Sequence, residues 1–331
     1  MTLPGMRPWL LRAAALAAIG LMPTVAAAAS ADARQWLSRM RAAAVSINYE
    51  GTLVHRVGGG MSTSRVWHYR VGKDTFERLE TQDGRQQRIL RHNDDVRTVW
   101  PQTGRAVVER RETLAAWSTT PQAVDPRAAD SYTLQLDGEE RVAGRPAAVL
   151  VLMPKDALRF KQRFFADQAT GLLLRADVLA DDDQLIESSS FSDISLDVKA
   201  RPDTVLQAMR SDDGLRISRP RQRRTTLEAA GWQVVREVPG FMVAGTVLRG
   251  LEAATDADAP EMLQVVFSDG LAHVSVFIER YNAERHLAES QARMGATHTA
   301  ARRAGEHWLT VVGDVPPAAL KQFAEALERR R

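Results

Sequence analysis

From Trp36 onward the apolar positions follow a helical spacing. Trp36, Met40 and Ala44 fall at i, i+4 and i+8 with Leu37 beside them, and Arg34, Arg39 and Arg41 are left to solvent. The spacing predicts an amphipathic helix with Asp32 as its N-cap. After Val45 the period changes to two. Tyr49, Gly51, Leu53 and His55 alternate with Glu50, Thr52 and Val54. Beyond a Gly58-Gly59-Gly60 loop, Trp67, Tyr69 and Val71 alternate with Val66, His68 and Arg70. Short β-type runs follow at 75–81, 87–91, 96–100 and 106–109, with turns at Asp83-Gly84 and Asn93-Asp94-Asp95. The stretch 111–130 breaks the rhythm with Pro121 and Pro126. It reads as a long excursion over a sheet, with a short helix around Leu114–Trp117. Runs resume at 132–136, 141–153, 160–166, 172–179 and 185–194, and Asp167 to Gly171 reads as a hairpin turn.

About ten short strands behind one helix predict an α+β fold. Its first part is one large curved antiparallel sheet, an incomplete barrel, with the helix packed on its concave face. Any apolar sheet surface that the helix leaves uncovered becomes a lipophilic groove. The expected domains are residues 30–200, an Arg-rich linker at 201–224, and a smaller α+β domain at 225–331. The smaller domain carries strand patterns at 234–235, 241–248, 263–267, 273–278 and 308–312. Ser268-Asp269-Gly270 forms a hairpin, and a closing helix has Leu320, Phe323 and Leu327 on one face after Pro316-Pro317.

The N-terminus adds a destination. Arg7 precedes a mostly apolar stretch from Leu10 to Val25, and small residues follow at Ala26 to Ala29. Residues 1–29 are therefore expected to be a cleaved signal peptide, because the unbroken run from Ala13 to Met22 is far short of the roughly 20 residues that span a bilayer. The mature chain is expected in the periplasm. With 44% hydrophobic and 26% charged residues, the 331-residue chain has the makeup of packed domains, not of a disordered chain. A net charge of +3, two of whose arginines lie in the leader, argues against nucleic-acid binding. The absence of cysteine excludes disulfides, thiolate metal sites and a cysteine nucleophile.

No catalytic motif stands out. His286 and Glu289 lack the zinc-protease spacing, and the triple glycine lacks both a later dinucleotide-site glycine and a P-loop lysine. His55 and His68 could meet on the first hairpin, but without a third ligand they read as structural, and no metal or cofactor is expected. Trp67, Tyr69, Trp100, Phe164, Leu173 and Phe191 are candidates for lining the groove, with core packing as the equal alternative. Arg219, Arg221, Arg223 and Arg224 read as a solvated connector. The functional alternative is contact with a partner or with lipid phosphate.

Several stretches go further. They include Trp36-Leu37-x-x-Met40, Asn48-Tyr49-x-Gly51-Thr52, Arg78-Leu79-Glu80 with Asp83-Gly84 and Arg88, and Arg141 to Arg145 leading to Pro154-Lys155-Asp156 and Arg159. Asp167 with Thr170 to Arg175, Phe267 to Leu271 with Val274 to Glu279, Gly295-Ala296-Thr297 and Thr310 to Pro316 continue the series. In this order, over nearly all the chain beyond the leader, they resemble the RseB/MucB family of periplasmic regulators. The resemblance implies a lipoprotein-carrier-like half-barrel joined to a smaller domain. It implies a binding protein, not an enzyme. Such a protein holds the periplasmic region of a membrane-spanning anti-sigma factor and shields it from proteolysis, and lipopolysaccharide or lipoprotein acyl chains release it. A lipid or lipoprotein carrier without a regulatory role is the rival, and self-association into a homo-oligomer stays open.

Overall fold

The computed structural model describes residues 22–110, 125, 127–212, 214–250 and 261–330. The excursion at 111–130, including its expected short helix, lies mostly outside these residues. So does the expected leader up to residue 21. Helix α1 (Met22–Ser46) begins well before Asp32, which is an exposed position inside the helix and not its cap. Ala33, Leu37, Met40 and Ala43 are its buried stripe, one step round from the expected face. Trp36 sits at the stripe's margin, with the Arg39 guanidinium 4.1 Å from its ring centroid.

Strands β1 (Tyr49–Val57), β2 (Gly60–Val71), β3 (Asp74–Thr81), β4 (Arg88–His92), β5 (Asp95–Trp100) and β6 (Arg105–Arg110) form one meander. After the short helix α2 (Ala128–Ser131) come β7 (Tyr132–Val142), β8 (Arg145–Pro154), β9 (Lys161–Asp167), β10 (Leu173–Leu179) and β11 (Leu185–Leu196), a second meander. Strand β11 returns to pair with β1, so Tyr49 stands between Leu196 and His68. The single run expected at 141–153 is interrupted at Ala143-Gly144. Their φ values of 49° and 76° make the tight turn that lets Val142 pair with Arg145.

The expected linker is folded. Helix α3 (Pro202–Arg210) lies on the outer face of the sheet, where Val205 packs on Tyr69 and Phe76. Arg97, 1% exposed, reaches the end of this helix, donating to the carbonyls of Met209 and Ser211 at 2.6 Å each and pairing with Asp212 at 2.8 Å. The cation meets helix-end carbonyls that would otherwise lack donors. Next, β12 (Arg216–Ser218) pairs in parallel with β6. The result is a twelve-stranded sheet whose edges, β12 and β7, do not pair with each other. It is open, not a closed barrel.

The second sheet starts at once. Strand β13 (Gln222–Arg224) is followed by β14 (Trp232–Val234), β15 (Met242–Gly250), β16 (Glu261–Ser268), β17 (His273–Arg280), β18 (Ser290–Met294), β19 (Thr297–Ala304) and β20 (His307–Gly313). Seven of these form an antiparallel sheet in the order β13-β15-β16-β17-β20-β19-β18. Helix α4 (Pro317–Ala326) covers one face, packing Leu320 and Phe323 against Val265, Val276, Leu309 and Val311. Leu327, expected on the helix, instead opens β21 (Leu327–Arg329) and pairs with Val234.

Candidate functional site: the cavity between two sheets

The inner face of the large sheet divides into two halves. Over β7 to β10, α1 seals it. Leu37 and Met40 close on Leu134, Leu150, Leu152, Phe164 and Leu173. Over β1 to β3 only the end of α1 reaches that face, where Ala43 joins Tyr49, Leu53, Val66 and Leu79, and beyond it the strands carry no helix among the described residues. The register shows one continuous surface there: Leu53 stands opposite Ser64, Ser64 opposite Thr81, Ile89 opposite Thr98, and Thr98 opposite Val107. These side chains face a cavity of about 1060 Å³. Its far wall is the second sheet, through Thr246, Gln264, Val266, Ser275 and Phe277. Hydroxyl and amide groups alternate with apolar ones on both walls, and Arg224 adds positive charge at the edge. Such a lining suits an extended chain or a polar head group better than an acyl chain alone.

Among the described residues, contacts at the rim and on both flanks hold the sheets around this space. At the rim, Arg249 of β15 pairs with Glu109 of β6 at 3.1 Å, and Gln222 donates to the same carboxylate at 3.3 Å. On one flank Arg159, between β8 and β9, enters the second domain. Its Nε meets Asp269 at 2.5 Å with both side chains fully buried, and its Nη2 donates to the Pro239 carbonyl at 2.8 Å. The guanidinium also lies 4.4 Å from the Phe241 ring centroid. Gly240 (φ 75°) is needed here, because a Cβ would stand 2.6 Å from the Ser131 hydroxyl and against Arg159 itself. A charge so deeply buried is tolerable only because every direction it presents is answered.

On the other flank the tip between β18 and β19 meets β1 and β11. The Ala296 N–H donates to Glu187 at 3.2 Å, and His55 stands 3.5 Å from the same carboxylate. A Cβ on Gly295 would come within 2.6 Å of Val57 and 2.7 Å of Glu187, so the two domains touch backbone to side chain.

The residues singled out from the sequence scatter over this frame. Trp100 lines the cavity. Trp67 and Tyr69 point the other way, to the outer face beneath α3. There Arg78 covers the indole at 4.9 Å and the Tyr69 hydroxyl donates to Glu50 at 2.6 Å. Alternation alone does not say which face a covering helix takes, and the α3 segment has the sequence of a linker. Phe164 and Leu173 lie under α1, and Phe191 packs edge-on against Tyr49, all in dry core. Of the arginines, Arg224 borders the cavity, Arg223 shares its edge strand, and Arg219 and Arg221 are exposed just before it. His55 and His68 do not meet. His55 opposes Ser62 and bonds Ser189, whereas His68 stacks on Tyr49. Among the described residues no group of three metal-ligating side chains assembles.

The interface residues Arg159, Asp269 and Glu187 carried no single-sequence signal of pairing. Arg159 and Asp269 are 110 positions apart. Both nonetheless fall within stretches that carry the family resemblance.

Two sheets clamped around an unsealed cavity of mixed polarity define a two-domain binding protein. Its lineage follows from comparison. The MucB/RseB N-terminal domain profile matches residues 32–209 and the C-terminal domain profile residues 226–328. The chain is 31% identical over 313 residues to the sigma factor AlgU regulatory protein MucB of Pseudomonas aeruginosa, covering 92% of this chain and 94% of that one. It is 26% identical to the sigma-E factor regulatory protein RseB of Haemophilus influenzae, covering 94% and 95%. The structure of the Pseudomonas aeruginosa MucA/MucB complex superposes with a TM-score of 0.69 at 25% identity, over 91% of this chain and 99% of that one. This chain belongs to the MucB/RseB family.

Proposed function

We propose that this protein is a negative regulator of a sigma-E type envelope-stress response. It binds the periplasmic region of a membrane-spanning anti-sigma factor and shields it from proteolysis. A MucB crystallised with the periplasmic part of MucA supports the partner, since that chain superposes on this one with a TM-score of 0.68. The observation that carries the reading here is the 1060 Å³ cavity between the domains, with hydroxyls, amides and arginine in its walls. An extended segment finds backbone partners there, and both domains are needed to hold it.

The protein acts by binding, not by catalysis, in the periplasm after its leader is removed. Lipopolysaccharide or a lipoprotein acyl chain releases the partner by favouring a domain arrangement that no longer grips it. The lipid weakens the partner by no more than its own preference between the two arrangements. A plain lipid carrier would need only the large sheet. Here the second domain is tied in by a fully buried ion pair.

Calorimetric titration with the anti-sigma periplasmic segment from the same genome, with and without lipopolysaccharide, tests this. Submicromolar binding that lipid weakens is expected. Absence of binding by a folded chain would remove the regulatory reading, and tight binding indifferent to lipid would remove the release step. Deleting residues 222–331 should abolish partner binding, whereas a carrier would keep its lipid.

A further inference from the structure

Charge is not spread evenly along this chain. Lys and Arg together number 44 and Asp and Glu 41, yet residues 216–224 hold five arginines and no acid. The fold fixes where they stand. Arg216 opens β12, an edge strand of the large sheet, and Arg223 and Arg224 close β13, an edge strand of the second. Only Arg219, Pro220 and Arg221 lie between these two edges, so the run follows one margin of the molecule. Main-chain bonds hold it there. The Arg216 N–H donates to the Gly104 carbonyl at 2.8 Å, and the Gly250 N–H donates to the Arg221 carbonyl at 3.0 Å.

A sixth arginine joins them. The parallel pairing of β12 with β6 sets Arg216 beside Arg105. Like charges at paired positions of a sheet repel. The acids close by are engaged elsewhere, Asp212 by Arg97 and Glu109 by Arg249. Among the described residues, Arg105, Arg216, Arg219 and Arg223 are exposed and meet no carboxylate. Charges on edge strands commonly serve to keep sheets from pairing with one another. That account does not reach Arg105, because β12 already covers β6. Two arginines side by side there cost stability until an anion answers both.

We propose that this margin is a membrane-docking surface, which rests on the anionic phospholipid head groups of a bilayer through Arg105, Arg216, Arg219 and Arg223. The arginines follow a line along two strands and do not converge on one pocket, which suits a charged surface better than a single phosphate. None of the exposed large apolar side chains falls within 101–110 or 211–224, so the margin lacks the anchors that a protein interface uses. Gln222 and Arg224 of β13 line the cavity. Docking therefore brings the edge of the cavity to the lipid surface, where a membrane-anchored segment emerges. It needs no partner and leaves the cavity free.

Flotation of the mature chain with lipid vesicles tests this, with no partner present. The vesicles are phosphatidylcholine alone or phosphatidylcholine with about 40% phosphatidylglycerol. Binding is expected only to the second kind, and it should fade as salt rises from about 0.05 M to about 0.5 M. Arg105→Gln, Arg216→Gln, Arg219→Gln and Arg223→Gln should each weaken it about fivefold, with the unfolding midpoint unchanged. Arg105→Lys, Arg216→Lys, Arg219→Lys and Arg223→Lys should keep most of it, because a lipid surface reads charge and not the guanidinium fork. No binding to the anionic vesicles, equal binding to both kinds, binding indifferent to salt, or a fourfold glutamine variant that floats like the unaltered chain would overturn the proposal. So would loss of binding in the lysine variants, which would assign the margin to a partner held by paired guanidinium bonds.

Discussion

The two halves of the large sheet's inner face have the same backbone but opposite side-chain logic. Under α1 the inward positions are Leu134, Leu150, Leu152, Phe164 and Leu173. Across β1 to β6 the inward positions include Ser62, Ser64, Thr81, Gln87 and Thr98. A surface sealed by a helix has no water to satisfy a hydroxyl, so it must be apolar. A surface left open keeps groups that can bond something arriving later. The difference separates what holds the fold from what is kept for a ligand.

The comparison can be broken most easily where burial is deepest. Phe164→Ala removes a ring from the sealed half and should cost about 3–5 kcal/mol in chemical denaturation. Trp100→Ala in the open half should cost about 1 kcal/mol or less while weakening partner binding. Equal stability losses at the two sites would end the distinction.

The interdomain contacts allow the same contrast. Arg159→Ala strands a buried Asp269 carboxylate and should cost about 3–5 kcal/mol, loosening the small domain first. Arg249→Ala, at the partly open rim, should change stability by about 1 kcal/mol at most. Limited proteolysis of the two variants distinguishes them, with early cleavage between the domains only in the first.

A third contrast concerns the outer face. Tyr69→Phe deletes the 2.6 Å bond to Glu50 and should cost about 1–2 kcal/mol without touching partner affinity, since the ring points away from the cavity. Glu50 gives it a pH signature. Burial works to raise this carboxyl, but the Tyr69 hydroxyl and Arg201 outweigh it and hold it below the ordinary range. Its contribution is complete above the free carboxylate value and fades as pH falls through the lowered native one. In Tyr69→Phe the acid limb of the stability profile should be shallower.

Much of the frame was legible in the sequence, because period-two alternation is a strong local signal. The two meanders and the hairpin at Ser268-Asp269-Gly270 came from it directly. Strand β19 did not, because Thr297 to Ala304 carries histidine, threonine and arginine on a sheet face that α4 only partly covers. Helix α3 was hidden by its charged setting, and with it the face to which Trp67 and Tyr69 belong. The cavity itself is a relation between two sheets, and no local pattern records which strands come to face each other. Trp100 was found as an aromatic on a strand, but the serines and threonines around it carry no mark of function in one sequence.

The central claim is that the cavity between the sheets holds the partner, and blocking it is the most direct test. Ser64→Trp fills the open wall of β2 without entering the core under α1. Titrated with the anti-sigma periplasmic segment, this variant should bind at least about tenfold more weakly than the unaltered chain, a difference of about 1.4 kcal/mol, with its unfolding midpoint unchanged. Unaltered affinity in a folded Ser64→Trp protein would place the partner elsewhere and contradict the account.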